Sequence, residues 1–534
     1  MPSPDTSSST TTFSLSGYLN IDALLNPDHQ IWSNSTTPIT TLTYSFPWSG
    51  GTDAYWQPDY STYQEPQAAV HFGLNATQIS ATGNALQAWA NVANITFTQV
   101  PDTATNVGDF RFAFSSAVDS NTWGYSYYPS NTNAAAADVW INPSNATKND
   151  WYNESYNYYA LMHEIGHGLG LKHPGNYNVE GGGTPGPYLP MPLDYTIYTI
   201  MSYNNYRPLF WDTTLHQYIT VYPQTPMVSD IAAIQYLYGS NNYYNTGDNT
   251  YRFDPAIPFY KTIWDTGGTD TIDLSNFSTN CTIDLTPGNY SSIRYTNQAT
   301  GPTYYDGSNN LGIAFGVTIE NVMGGTGNDY IIGNNANNTF IGGSGNDTID
   351  GGQSIDTIIF TGKQSNYNIT LAGTGFSIID TKGSDGTVTE INVEKLRFPD
   401  HTLTIQTAPT ETLAESYRMY KAAFDRAPDY SGLGYWYSIM NKGESITEVA
   451  ENFINSTEFK EMYGTNPTDQ TFVTLLYQHV LDRTPDQNGY DFWINSLHTI
   501  SRAQELAYFS ESAENKANLT GIIANGIIYE EYTA

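Results

Sequence analysis

Between residues 324 and 356 the chain repeats itself every nine residues, and so short a period limits what this part can become. Gly324-Gly325-Thr326-Gly327-Asn328-Asp329 opens one unit. Gly342-Gly343-Ser344-Gly345-Asn346-Asp347 restates it in full, and Gly333 and Gly351 open the units between and after. Nine residues leave room for one turn and one very short strand, so each unit must stack on its neighbours to bury anything. The glycines permit tight turns that leave carbonyl oxygens uncovered, and the aspartates add charge beside them. Oxygen-rich turns of this kind suit a hard cation such as calcium. The unit Gly333-Asn334-Asn335-Ala336-Asn337-Asn338 has no aspartate, and the one from Gly351 to Asp356 keeps only part of the pattern, which thins the oxygen set there.

The charge balance points the same way. Acidic residues outnumber basic ones 52 to 19, for a formal net charge of -33, although charged residues are only 13% of the chain. Nucleic acid and anionic membrane surfaces repel such a chain. The excess carboxylates keep a chain soluble and also offer calcium ligands. Cys281 is the single cysteine, so no internal disulfide forms and no thiolate metal site is available. No apolar run approaches the roughly eighteen residues of a membrane span. The start, Met1-Pro2-Ser3-Pro4-Asp5 and a Ser/Thr run, lacks the basic and apolar parts of a conventional signal peptide.

The chemistry concentrates at His163-Glu164-Ile165-Gly166-His167 and the residues up to His173. On a helix, His163 and His167 lie four apart on one face and aim at a single metal ion. Glu164 stands one position round, where its carboxylate reaches a metal-bound water without ligating the metal. Gly170 takes positive φ and stops the helix, so that the chain turns back and delivers His173 as third ligand. Three neutral nitrogens and no thiolate describe a catalytic zinc site with one open coordination position.

HEIGHGLGLKH with Pro174 after it, and then Thr199-Ile200-Met201-Ser202-Tyr203 with Met201 28 positions after His173, resembles the metzincin zinc peptidases and the serralysins in particular. The resemblance implies a secreted bacterial zinc endopeptidase acting on proteins or peptides. It puts Met201 in a tight turn beneath the metal and makes Tyr203 a movable fifth ligand that swings to stabilise the tetrahedral intermediate. Ala137–Asn142 would be the sheet edge along which an extended substrate lies antiparallel. The nonapeptides resemble RTX calcium repeats, in which two units make one coil of a parallel β-roll. Asp329 and Asp347 would then share a calcium ion, with Gly324, Thr326, Gly342 and Gly345 in the ligand set, and Asp356 would serve the weaker site of the units from Gly333 and Gly351. Asp265, Gly267, Asp270 and Glu320 resemble the segments that hold further calcium ions. Serralysins leave the cell in one step through an apparatus that reads a C-terminal signal. Here Ile528-Tyr529-Glu530-Glu531-Tyr532-Thr533-Ala534 departs from the family's acidic-then-apolar terminus.

A chain of 534 residues exceeds one core, and the expected organisation is multidomain. Residues 1–20 read as a flexible extension or short propeptide and 21–240 as an α/β (α+β) metzincin catalytic domain. Residues 241–406 read as the calcium-binding parallel β-roll with a β cap, and 407–534 as an all-α domain. In the catalytic part, Leu42–Phe46, Ile95–Thr98 and Phe110–Phe114 alternate as strands of one half-buried sheet, and Asn75 caps a helix with Ile79, Leu86, Trp89 and Ala93 at helical spacing. Asp230–Gly239 reads as a helix closed by glycine, and the loop at 181–187 as a rim of the cleft. The last domain repeats with a period of 57: Phe424-Asp425-Arg426-Ala427-Pro428-Asp429 matches Leu481-Asp482-Arg483-Thr484-Pro485-Asp486. It resembles a helical module found beside RTX repeats, and it reads either as a non-catalytic module that associates with the bacterial surface or as a passive structural cap. The expected state is a monomer. The competing reading is a calcium-dependent surface adhesin with a vestigial peptidase domain.

Overall fold

The computed structural model describes residues 8–33, 39–57, 59–177, 185–296, 299–406 and 409–532. The first seven residues, most of the loop at 181–187, the start of the linker at 407–410 and the last two residues fall outside that set. The chain divides into two compact units, residues 1–321 and 322–534.

The first unit begins sooner than its polar sequence suggests. Residues expected in a loose extension form β1 (Ser9–Thr12), paired antiparallel with β2 (Gln30–Ser33). The Ser8 N–H and hydroxyl both donate to Asp109, at 3.0 and 2.9 Å. β-Branched threonines favour extended backbone, and the ladder satisfies their main chain; low hydrophobicity hid a strand that buries little. The short helix α1 (Leu19–Asp22) follows, with Ala23, Leu24 and Leu25 buried behind it.

The main sheet contains β3 (Thr40–Ser45), β4 (His71–Phe72), β5 (Ile95–Gln99), β6 (Phe110–Ser115), β7 (Gly124–Ser126) and β8 (Val139–Ile141), in the order β5-β3-β6-β8-β7 with β4 also on β6. β3, β5, β6 and β8 run parallel, and β7 closes the sheet antiparallel to β8. Two expectations are corrected here. β6 is not half buried: every residue of it is inside, because it is flanked on both sides and covered on both faces. Arg111 tolerates this because Asp138 takes its guanidinium at 2.8 Å and the Trp56 ring lies 3.9 Å away. Nor is the strand near 137–142 an edge, since β8 has β6 on one side and β7 on the other. The free edge belongs to β7.

Helix α2 (Ala76–Val92) opens with a capping box between Asn75 and Gln78 and buries Leu86 and Trp89. Helix α3 (Tyr156–Gly168) is capped by the Ser155 hydroxyl and packs against α2. Helix α4 (Val228–Tyr238) ends at Gly239, whose φ is +80°. Beyond it, short strands pair in parallel, Thr250–Arg252 with Thr271–Asp273 and Lys261–Ile263 with Leu311–Ile313.

In the second unit the nine-residue period becomes two faces. Tyr330–Ile332 pairs in parallel with Asn346–Asp350, and Thr339–Ile341 with Thr357–Ile359, each strand meeting the one 18 residues on. One face continues through Thr387–Ile391 and the hairpin Tyr367–Ala372 with Gly375–Asp380. The other continues through Lys395–Arg397 and Thr402–Gln406. Eight helices between Glu411 and Ala524 surround a core that includes Met419, Phe453, Phe472 and Phe509. The 57-residue period is visible at its turns, where Asp425 and Asp482 both take positive φ and Asp429 and Asp486 each cap the next helix. The chain then returns as Ile527–Glu530, which adds antiparallel to Thr402–Gln406. The stretch expected to end the helical part is thus a strand of the sheet that precedes it.

Candidate metal centre

Helix α3 carries His163 and His167 one turn apart on one face, with Glu164 one position round from His163. Its end is set by Gly170, with φ of +105°, whose N–H returns to the His167 carbonyl. The turn brings His173 back under the helix. His173 Nε2 then lies 3.1 Å from His163 Nε2 and 3.1 Å from His167 Nε2. Tetrahedral bonds of about 2.0–2.1 Å to zinc give nitrogen separations of roughly 3.3 Å, so the donor set has the right size.

The orientation of two rings is fixed from behind. His163 Nδ1 lies 2.7 Å from the Ile200 carbonyl and His167 Nδ1 lies 2.8 Å from the Leu171 carbonyl. A carbonyl only accepts, so each Nδ1 carries the proton and each Nε2 turns a lone pair inward. Both inward lone pairs face His173 Nε2 at 3.1 Å, where a cation would be held by all three nitrogens. Burial, and the neighbouring His173, push the His163 pKa down to about 3, and His167 is lowered well below its ordinary value by the same causes. The rings are therefore neutral donors at neutral pH.

Glu164 is buried beside the cluster, and burial raises its pKa well above the usual carboxylate range, with the Ser126 main chain pulling the other way. Ser126 belongs to β7, so the free sheet edge runs past this carboxylate. Met201 is fully buried, with its Sδ against helix α3 at Gly166. A Cβ on Gly166 would fall 2.8 Å from its Sδ and 3.2 Å from the Trp89 ring, so only glycine fits between helix and turn. Tyr203 stays half exposed, with its ring centroid 4.3 Å from His173 and 5.7 Å from His163.

Several supporting residues carry no motif. Asp230, in the first turn of α4, accepts from the Thr199 hydroxyl at 2.6 Å and the Ile200 N–H at 2.7 Å, which holds the carbonyl behind His163. Asp194 accepts from the Ser202 hydroxyl at 2.6 Å. Lys172 is 1% exposed, and its ammonium donates to the carbonyls of Ala23, Pro187 and His173 at 2.7, 2.9 and 3.3 Å. In sequence, Asp230 looks like an ordinary helix cap and Lys172 like a surface residue. Only their long-range partners distinguish them.

The acidic candidates fall in three separate clusters. In one, Asp270 donates its N–H to Glu320 at 2.7 Å while Asp265 receives the Gly267 N–H at 3.0 Å. In the second, the Asp329 N–H donates to Asp347 at 2.9 Å, with Gly324 and Gly342 stacked beside them. Gly345 packs against the Gly327 carbonyl, too close for any side chain, and Thr326 is exposed on the turn. Asp356 stands on the other face, receiving the Asn338 N–H at 2.6 Å and donating its own to Glu394 at 2.8 Å. Asp270, Asp347 and Asp356 each leave one buried carboxylate oxygen without a hydrogen-bond partner. Burial raises their pKa values, to about 6 for Asp270 and about 7 for the other two. Such oxygens are destabilising unless a cation or proton meets them.

Residues 55–178 match the family model described as Matrixin, and residues 235–369 the one described as Peptidase M10 serralysin C terminal. Residues 416–462 and 450–519 match a domain of unknown function (DUF4214). The chain is 37% identical over 275 residues to serralysin C of Dickeya chrysanthemi, covering 48% of this chain and 53% of that one. It is 34% identical over 322 residues to a serralysin of Proteus mirabilis, covering 54% and 58%. To a serralysin of Photorhabdus sp. strain Az29 it is 32% identical over 277 residues, covering 48% and 53%. It spans about half the length of the curated relatives it matches.

Proposed function

We propose that this chain, a serralysin-type metzincin across its matched segments, is a secreted zinc-dependent endopeptidase that cleaves proteins with a metal-activated water and Glu164 as general base. The observation that carries the reading is the convergence of three imidazole Nε2 atoms at 3.1 Å, two of them fixed by carbonyls behind the rings. His163, His167 and His173 would hold the ion. Bound zinc supplies a Lewis acid for the scissile carbonyl and a water of near-neutral pKa. Glu164 takes the proton from the attacking water and returns it to the leaving amine, and a cation beside it favours the ionised carboxylate that burial alone disfavours. Tyr203 is placed over His173 where its hydroxyl supports the developing oxyanion. The extended substrate adds to the free edge of β7, beside Glu164, rather than to β8.

Calcium in the acidic clusters is part of the proposal. Asp265, Gly267, Asp270 and Glu320 form one ligand set, the turns of Gly324 to Asp329 and Gly342 to Asp347 a second, and Asp356 with Glu394 a third. The orphaned oxygens of Asp270, Asp347 and Asp356 support it. The helical domain is proposed as a surface-association module.

The test combines metal analysis with casein hydrolysis. The expected result is one zinc per chain, activity lost on chelation, and a Glu164→Ala variant that keeps zinc while losing about 10²–10⁴-fold in kcat. A folded, zinc-loaded protein inert toward every polypeptide would overturn the peptidase reading in favour of a calcium-dependent adhesin.

A further inference from the structure

A cavity of about 400 Å³ lies in the first unit between α2, the strand Lys261–Ile263 and residues 244–253. Its size is that of a small-molecule site. One wall is the outer stripe of α2, where Asn84, Gln87, Ala88 and Asn91 recur at spacings of three and four. No residue of this helix is charged, so the stripe offers amides, each with donor and acceptor positions to spare. Opposite stand the rings of Trp264, Tyr244 and Tyr251. Lys261 also lines the cavity, its ammonium 5.9 Å from the centroid of the Phe259 ring. No carboxylate among the described residues comes within ion-pair distance of its ammonium, and no hydrogen bond holds it, in a chain whose carboxylates outnumber cations 52 to 19. Burial lowers its pKa and the charge of Glu154 opposes the shift, so the cation is partly desolvated without being neutralised by contact.

We propose that this cavity binds an acidic sugar, a short oligosaccharide carrying one carboxylate. Amides match vicinal hydroxyls, the rings suit the apolar face of a pyranose, and a single ammonium matches a single monoanionic substituent. A phosphate group would call for more than one cation, and no arginine lines the walls. An extended peptide is a poorer fit. The strand Lys261–Ile263 is an edge, but its outward Thr262 N–H already donates to the Thr225 hydroxyl at 2.8 Å.

The test titrates full-length, zinc- and calcium-loaded protein with a disaccharide of one galacturonate and one galactose residue, with the matching neutral galactose disaccharide and with an acidic tripeptide, read by calorimetry and tryptophan fluorescence. The acid disaccharide should bind more tightly than the neutral one, and Lys261→Met should erase that preference, a loss of about tenfold or more. Gln87→Ala with Asn91→Ala, both helix-compatible and on the surface of α2, should weaken both sugars while casein hydrolysis and thermal midpoint stay put. Failure of both sugars to bind, an unchanged preference in Lys261→Met, or tighter binding of the tripeptide would each overturn the proposal.

Discussion

At the scale of single residues, the candidate metal centre depends on side chains outside its three histidines. Through the Ala23 and Pro187 carbonyls Lys172 ties two segments to the loop that carries His173, and its removal frees that loop without altering any of the three histidines. Lys172→Met should weaken zinc binding by about 10–100-fold, measured by competition with a chelator, with Lys172→Arg recovering part of it. Glu505 is a residue of another kind. It is 0% exposed, and neither carboxylate oxygen has a hydrogen-bond partner. Burial, then the charge of Asp469, pushes its pKa up to about 8 from 4.5. The fold therefore holds the protonated form. The stability this contributes is complete below about pH 4.5 and is lost as pH rises through about 8. Thermal midpoints taken from pH 5 to 8 should fall less steeply for Glu505→Gln than for the parent.

At the scale of elements, each strand of the second unit is short and stable only through its neighbours. Ile527–Glu530 illustrates this: it covers the outer side of Thr402–Gln406, and Gly434 on the helix above lets the Glu530 carbonyl approach where any Cβ would clash. Deleting residues 527–534 uncovers an unpaired strand edge. The truncated chain should show a lower thermal midpoint and a concentration-dependent increase in light scattering, and an unchanged midpoint would mean that the strand contributes little.

For the molecule as a whole, the net charge of -33 is a self-repulsion that the compact state must carry. Bound calcium would relieve it where it is worst, at buried oxygens that have no other partner. Calcium chelation should lower the thermal midpoint by several degrees or more, a few kcal/mol for ions bound far above their dissociation constants. Asp347→Asn should reduce the number of calcium ions retained on equilibrium dialysis and leave zinc unchanged. A thermal midpoint indifferent to calcium would remove the ion from the account of this fold.

The converging histidines, the helix that carries two of them and the turn at Gly170 were all legible in the sequence, because i, i+4 geometry and the freedom of glycine at positive φ are local properties. So were the nine-residue coils, where stacking follows from a fixed period. The sequence also reached the sheet strands but not their neighbours. Whether β8 or β7 carries the open edge depends on pairing partners far along the chain. The buried Arg111 was invisible for the same reason, its compensation lying in Asp138 and Trp56. Strand Ser9–Thr12, the return of Ile527–Glu530 to a distant sheet, and the grip of Lys172 and Asp230 on the ligand loops were likewise decided only in three dimensions. Local periodicity determines which elements form; long-range contacts, which leave no spacing to read, determine which groups end up together.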